Sequence, residues 1–119
     1  YFMKYKSTIT GLGEMVTDSL KSGFVIIFND NAPKEIAEIS ILHTIEKFDS
    51  EIEVGDLFII GNKKYTVTAV GDEANKTFKQ LGHCTLKFSG SPDVKLPGQI
   101  ELKGEDMPNV KIGDFIEIL

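Results

Sequence analysis

The chain is 119 residues long, enough for one domain with a real core and too short for two of ordinary size. A net charge of −5, with no basic cluster longer than Lys63-Lys64, excludes the electrostatic footprint of a nucleic-acid binder. The single cysteine, Cys84, excludes an internal disulfide framework and a multi-cysteine zinc site. No apolar run approaches the ~20 residues of a membrane span, and the opening residues do not read as a signal peptide. A soluble, reduced, cytoplasmic domain is the expectation.

Lys4 to Thr10 alternates, with Tyr5, Ser7 and Ile9 on one face, and reads as an opening strand that Gly11-Leu12-Gly13 breaks. Glu14 to Ser22 fits a short helix with Met15, Val16 and Leu20 inward and Gly23 as its stop. Phe24 to Phe28 is a continuous apolar run of strand length, covered on both faces, and Asn29-Asp30-Asn31 is a turn. Pro33 opens a helical turn through Ile36. From Ile39 to Glu46 a strand puts Ile39, Ile41, His43 and Ile45 on one face. A helix from Pro33 to His43 also fits, but the β-branched residues favour the strand.

Leu57 to Ile60 and Tyr65 to Val70 flank Gly61-Asn62-Lys63-Lys64, a hairpin signal. Asp72 is the predicted N-cap of a helix to Leu81, with Ala74, Phe78 and Leu81 at helical spacing and Gly82 ending it. His83 to Phe88 reads as a strand with Cys84, Leu86 and Phe88 inward and His83, Thr85 and Lys87 on the other face. Gln99 to Lys103 alternates, and Phe115 to Ile118 closes the chain. Val54-Gly55-Asp56-Leu57-Phe58 is echoed by Ile112-Gly113-Asp114-Phe115-Ile116, two similar strand entries in which a Gly-Asp pair turns and caps the backbone. No linker or low-complexity segment divides residues 1–119, so a single domain is expected. Seven or eight short strands and one or two short helices predict a mainly β barrel or sandwich.

Chemistry has few carriers here. No Gly-x-Ser-x-Gly elbow is present, and Gly11-Leu12-Gly13 lacks the Lys-Ser/Thr of a phosphate-binding loop. His43, His83 and a glutamate are enough for a metal site in number, but no helical His spacing supports one. His83 and Cys84, as strand neighbours, point to opposite faces and make no dyad. His43 stands among Ile39, Ile41, Leu42 and Ile45 and admits two readings. One is a core histidine satisfied by a backbone carbonyl. The other is a desolvated, neutral imidazole whose lone pair can attack phosphorus. His83, at a helix-to-strand junction, reads by default as a surface histidine.

Thr8-Ile9-Thr10, Asn31-Ala32-Pro33, Leu42-His43, Tyr65-Thr66-Val67-Thr68-Ala69-Val70-Gly71, Leu81-Gly82-His83-Cys84-Thr85-Leu86-Lys87-Phe88 and Leu96-Pro97-Gly98 follow one another in an order and spacing that is specific as a set. Through them the chain resembles, from Ser7 onward, the glucitol/sorbitol-specific enzyme IIA family of the phosphoenolpyruvate-dependent sugar phosphotransferase system. The resemblance implies a small, mostly β pseudobarrel, closed or nearly so. It also implies an acceptor histidine after the Ala-Pro segment, a position that only His43 fits. It implies as well that His83, in the Leu-Gly-His motif, is the second conspicuous histidine and lines the same site. Some members carry another histidine shortly after the acceptor. Here Thr44 and Ile45 follow, which leaves His83 as the only imidazole partner.

The resemblance further implies a two-step relay. Phospho-HPr donates its phosphoryl group to a ring nitrogen of His43, Nε2 in the family. The domain then passes it to a cysteine on the IIB domain of the membrane IIB/IIC transporter, with which it associates peripherally from the cytoplasm. No cofactor, metal or nucleic acid is expected. Such chemistry needs positioning and charge stabilisation. His83, the Thr44 hydroxyl and backbone N–H groups are candidate donors to the phosphoryl oxygens, in that order. Apolar surroundings of His43 would exclude water and offer a docking patch that two partners use in turn. A binding or scaffold module without chemistry is the alternative.

Overall fold

A computed structural model describes residues 2–119. Its elements follow in the order β1 (Tyr5–Leu12), α1 (Val16–Lys21), β2 (Phe24–Asn29), α2 (Lys34–Ala37), β3 (Ser40–His43), β4 (Leu57–Ile60), β5 (Lys63–Val70), α3 (Ala74–Leu81), β6 (Cys84–Lys87), β7 (Gln99–Lys103) and β8 (Phe115–Ile118). The strands close into one barrel in the order β1-β3-β2-β6-β7-β5-β4-β8. Among the described residues closure leaves no unpaired sheet edge. Neighbours are antiparallel except β2 with β3 and β6 with β7. The mainly β barrel with short helices is therefore what the strand pattern predicted, and α2 is the helical turn expected after Pro33.

Alternation along the strands fills the barrel. Tyr5, Ile9, Val25, Ile27, Ile41, Phe58, Val67, Leu86, Ile100, Leu102 and Ile116 are buried, as inward positions of a small barrel must be when side chains rather than a ligand fill it. α3 adds Ala74 and Phe78 to the same cluster. The β4–β5 hairpin turns on Gly61 and Asn62. The repeated Gly-Asp entries are alike in detail: Asp56 Oδ2 accepts from the Glu53 amide at 2.9 Å, and Asp114 Oδ2 accepts from the Lys111 amide at 3.0 Å.

Several local expectations change. β1 runs through Gly11 to Leu12, because these residues still pair with Leu42 and Ile41 across a register shift after Ile9. α3 begins at Ala74, not at an Asp72 cap, and no side chain caps its N-terminus. β3 is only Ser40–His43, so Ile39 and Ile45 do not share the buried face of Ile41 and His43 and are exposed. Met15 and Leu81 are exposed as well. In β7 the alternation fails, because Gln99 and Glu101 are buried with Ile100 and Leu102. Their polar ends are satisfied locally: Glu101 accepts from the Ser89 hydroxyl, and Gln99 Oε1 accepts from the amides of Lys95 and Leu96.

Candidate functional site

β3 ends at His43, between β1 and β2, where His43 registers with Ile9 on one side and Asn29 on the other. Since β6 runs antiparallel to β2, with Cys84 opposite Ile27, the junction between α3 and β6 comes to the same end of the barrel. The ring of His43 is wholly buried. Its Nε2 lies 2.8 Å from the Gly82 carbonyl oxygen. Its Nδ1 lies 3.2 Å from the Tyr5 hydroxyl and 3.1 Å from the Thr44 carbonyl oxygen. Phe78 stacks on the ring at 6.3 Å between centroids, and Tyr5 meets it edge-on at 6.2 Å. Tyr5, Phe48 and Phe78 pack edge to face among themselves, the arrangement aromatic quadrupoles favour.

Burial dominates the acidity of His43 and holds its pKa below the usual histidine value. The carbonyls of Gly82 and Thr44, and the carboxylates of Asp30 and Glu46 at longer range, act in the opposite direction without overcoming it. The imidazole is neutral near pH 7 and carries one N–H. The Gly82 contact is the shorter and offers only an acceptor, so the hydrogen belongs on Nε2 and donates to Gly82. Nδ1 then carries the lone pair, which accepts from the Tyr5 hydroxyl. Burial pushes the Tyr5 phenol up to about 12, keeping it a donor.

Gly82 can occupy its place only as glycine. It ends α3 in the left-handed conformation, with φ +60°. A Cβ there would collide with the Asn29 side-chain amide and come within 2.8 Å of His43 Cε1. The turn is clamped through its next residue. The His83 amide donates to the Thr77 carbonyl at 3.3 Å, and the Thr77 hydroxyl donates to the His83 carbonyl at 2.7 Å.

His83 itself is half-buried, not a free surface residue. Its ring lies 5.0 Å from that of Phe28, and its Nδ1 is 3.1 Å from the Ile27 carbonyl, which can only accept. That contact puts a hydrogen on Nδ1 and directs Nε2 away from β2. Among the described residues no hydrogen bond joins the two imidazoles; the Gly82 peptide lies between them. Thr44 has its hydroxyl oxygen engaged by the Thr8 amide at 3.0 Å. Cys84 is fully buried, and burial pushes its thiol pKa up, which removes it as a nucleophile. Among the described residues no group of three or more His, Cys, Asp or Glu side chains is placed to hold a metal ion. Nor is any described helix long and apolar enough to cross a membrane.

Sequence reasoning thus singled out the two histidines and Thr44. It missed Tyr5 and Gly82 as their partners. The alternation of β1 put Tyr5 inward, but nothing local says which polar atom its hydroxyl meets. Gly82 was legible only as a helix stop.

The fold is a small closed eight-stranded barrel filled by side chains, with one buried histidine at the end of β3 held under the Gly82 turn. The family described as PTS system glucitol/sorbitol-specific IIA component matches residues 4–117. The chain is 31% identical over 113 residues to the PTS system glucitol/sorbitol-specific EIIA component of Shigella flexneri, covering 95% of this chain and 92% of that one. It is 30% identical, with the same coverage, to the component of the same name from Escherichia coli strain K12. The crystal structure of a PTS system IIA component from Enterococcus faecalis V583 superposes with a TM-score of 0.85 at 25% identity, covering 97% of this chain and 99% of that one. The chain belongs to the glucitol/sorbitol-specific IIA component family of the sugar phosphotransferase system.

Proposed function

We propose that this chain, acting as a single IIA domain in the cytoplasm, takes a phosphoryl group from phospho-HPr onto His43. It passes that group to a cysteine of the IIB domain of a glucitol/sorbitol transporter, at whose membrane face it docks. The observation that carries the reading is the setting of His43. It is a neutral imidazole at the barrel rim, covered on its Nε2 side by a single backbone carbonyl, that of Gly82. Family membership supports the relay.

In the first step the Nε2 lone pair attacks phosphorus. The P–N bond to the donor histidine breaks, and its electron pair stays on the donor nitrogen. The Gly82–His83 turn has to open for this, since Nε2 is covered when it is closed. The hydrogen then belongs on Nδ1, where the Thr44 carbonyl at 3.1 Å accepts it. Only the Gly82 carbonyl swings aside; His83 keeps its Nδ1–H on the Ile27 carbonyl, and its Nε2, when it carries a hydrogen too, donates to a phosphoryl oxygen. The Thr44 hydroxyl, whose oxygen already accepts from Thr8, retains its hydrogen for the same use. Ile45 and Leu81, exposed next to the two bonded positions, supply the apolar contact for both partners.

The test is incubation with phosphoenolpyruvate, enzyme I and HPr, followed by intact mass. One added phosphoryl group is expected on the wild type and none on folded His43→Ala. Because a phosphohistidine is a phosphoramidate, the label should be lost in mild acid and survive alkali. Normal labelling of folded His43→Ala, or an acid-stable label, would overturn the assignment. The complete burial of His43 favours a second reading, a structural histidine in a scaffold module without chemistry. An unlabelled wild type in the same assay is its outcome.

A further inference from the structure

His43 Nδ1 faces two groups that ask for different protonation. The Tyr5 hydroxyl, at 3.2 Å, can donate to a bare Nδ1, whereas the Thr44 carbonyl, at 3.1 Å, can only accept from a protonated one. A neutral imidazole serves one of them at a time. With the Gly82 carbonyl on Nε2, the closed protein satisfies Tyr5 and leaves the Thr44 contact unmade.

One more buried group stands at this point without a role. Ser7 is inward-facing two residues along β1 from Tyr5, and its Oγ is the one buried side-chain polar atom among the described residues with no well-formed hydrogen bond. Its hydroxyl works against the effect of burial on the Tyr5 phenol, as an O–H directed at the phenol oxygen does. A buried hydroxyl without a partner is unfavourable and calls for an explanation. A serine hydroxyl also has lone pairs, and those of Ser7 are unused on the same face of β1, so it is the acceptor available to the Tyr5 hydroxyl should Nδ1 cease to accept.

We infer that Tyr5 is a positioning residue for His43: its hydroxyl holds the unreactive Nε2–H tautomer while the Gly82 turn is closed, and turns to Ser7 when the proton sits on Nδ1. The inference rests on His43 as phosphoryl acceptor. Each state then has a place for every hydrogen. In the closed state Nε2–H donates to Gly82, the Tyr5 hydroxyl donates to Nδ1, and Ser7 is idle. In the open state Nδ1–H donates to Thr44, the Tyr5 hydroxyl donates to Ser7, and the Nε2 lone pair is free. The exchange releases one proton from Nε2 to water and takes one from water onto Nδ1, with no net change. An acceptor held in the wrong tautomer until its cover moves would not react while closed.

The test uses the full chain with 15N-labelled histidine, unphosphorylated, and reads the His43 ring nitrogens by NMR. Wild type should show Nε2 protonated and Nδ1 bare. Tyr5→Phe removes one oxygen and keeps the ring packing. It should shift His43 towards the Nδ1–H tautomer and raise the rate of phosphorylation by phospho-HPr roughly two- to tenfold, the weight of one neutral hydrogen bond. Ser7→Ala should leave the resting tautomer as in wild type and slow phosphorylation by a similar factor. An unchanged His43 tautomer in Tyr5→Phe overturns the inference, whatever the rate does. So does Ser7→Ala that transfers at the wild-type rate. The tautomer is read without any phosphoryl donor. Failure of His43 as acceptor would therefore appear separately, as label on another residue.

Discussion

The Gly82 carbonyl sits 2.8 Å from Nε2 of His43, and the backbone that aims it there is left-handed, with φ +60°. The end of α3 and the end of β3 are thereby joined through one atom pair. That relationship explains why the residue before His83 has no Cβ, and it makes the glycine part of the site rather than only a helix terminator.

Gly82→Ala should therefore do more than loosen a helix end. The left-handed conformation alone costs an L-residue about 1–2 kcal/mol, and the new Cβ would also press on Asn29 and on His43 Cε1 at 2.8 Å. A lower urea midpoint is expected, together with a changed chemical environment of the His43 ring in NMR. A variant as stable as wild type, with an unshifted His43 signal, would show that the turn does not fix the ring. Gly23→Ala is the control: it also has positive φ, but nothing lies within 4 Å of the Cβ it would gain, so its effect should be confined to backbone strain.

The depressed pKa of His43 links folding to pH in a definite direction. Its ordinary value is 6.5, and the folded value is lower because burial disfavours the cation. Below pH 6.5 the unfolded chain binds a proton that the folded chain resists, so stability is fully present above 6.5 and falls as the pH drops through that value towards the folded one. The slope from this one group is at most about 1.4 kcal/mol per pH unit. Urea midpoints of wild type and His43→Gln at about pH 7.5 and about pH 5.5 measure it by difference, since every other group is common to both proteins. Wild type should lose more on acidification. Parallel losses would mean that His43 titrates as it does in the unfolded chain.

Much of the barrel was legible from period-two alternation, because β1, β5 and β6 each have one face inside a closed barrel, and burial enforces that pattern. β7 was misread for the opposite reason. Glu101 and Gln99 look like solvent-facing positions, yet each is covered and hydrogen-bonded to a loop that packs over the strand. The short β3 was overrun at both ends, since Ile39 and Ile45 continue the apolar pattern without continuing the pairing. Strand order was not legible, because the parallel neighbours β2–β3 and β6–β7 depend on crossovers that no local residue specifies.

At the site, residue types were legible and partnerships were not. A histidine in an apolar strand says that one of its nitrogens must find a polar atom, but the atom came from Gly82, 39 positions along the chain. The Tyr5 hydroxyl is similarly remote, at 38 positions. His83 was expected to be solvated. Its Nδ1 is instead tied to Ile27, because β6 lies against β2 one position further on.

That tie gives His83 a directional role that substitutions can separate. With Nδ1–H on the Ile27 carbonyl at 3.1 Å, only Nε2 is left to meet a phosphoryl oxygen. A donor to a charged oxygen is worth roughly 1.5–3 kcal/mol, so its loss should slow transfer about ten- to a hundredfold. His83→Ala removes the donor and the packing on Phe28, whose ring lies 5.0 Å away. His83→Gln keeps an N–H that can still donate and should fall between wild type and alanine. Under the proposed relay, peptide mapping should find the label on His43 in both variants. Rates from phospho-HPr and to the IIB domain should fall together if His83 holds the same phosphoryl oxygens in both proposed steps. If His83→Ala transferred at the wild-type rate in both directions, the histidine would be a structural contact of β6 with β2 and no part of the relay.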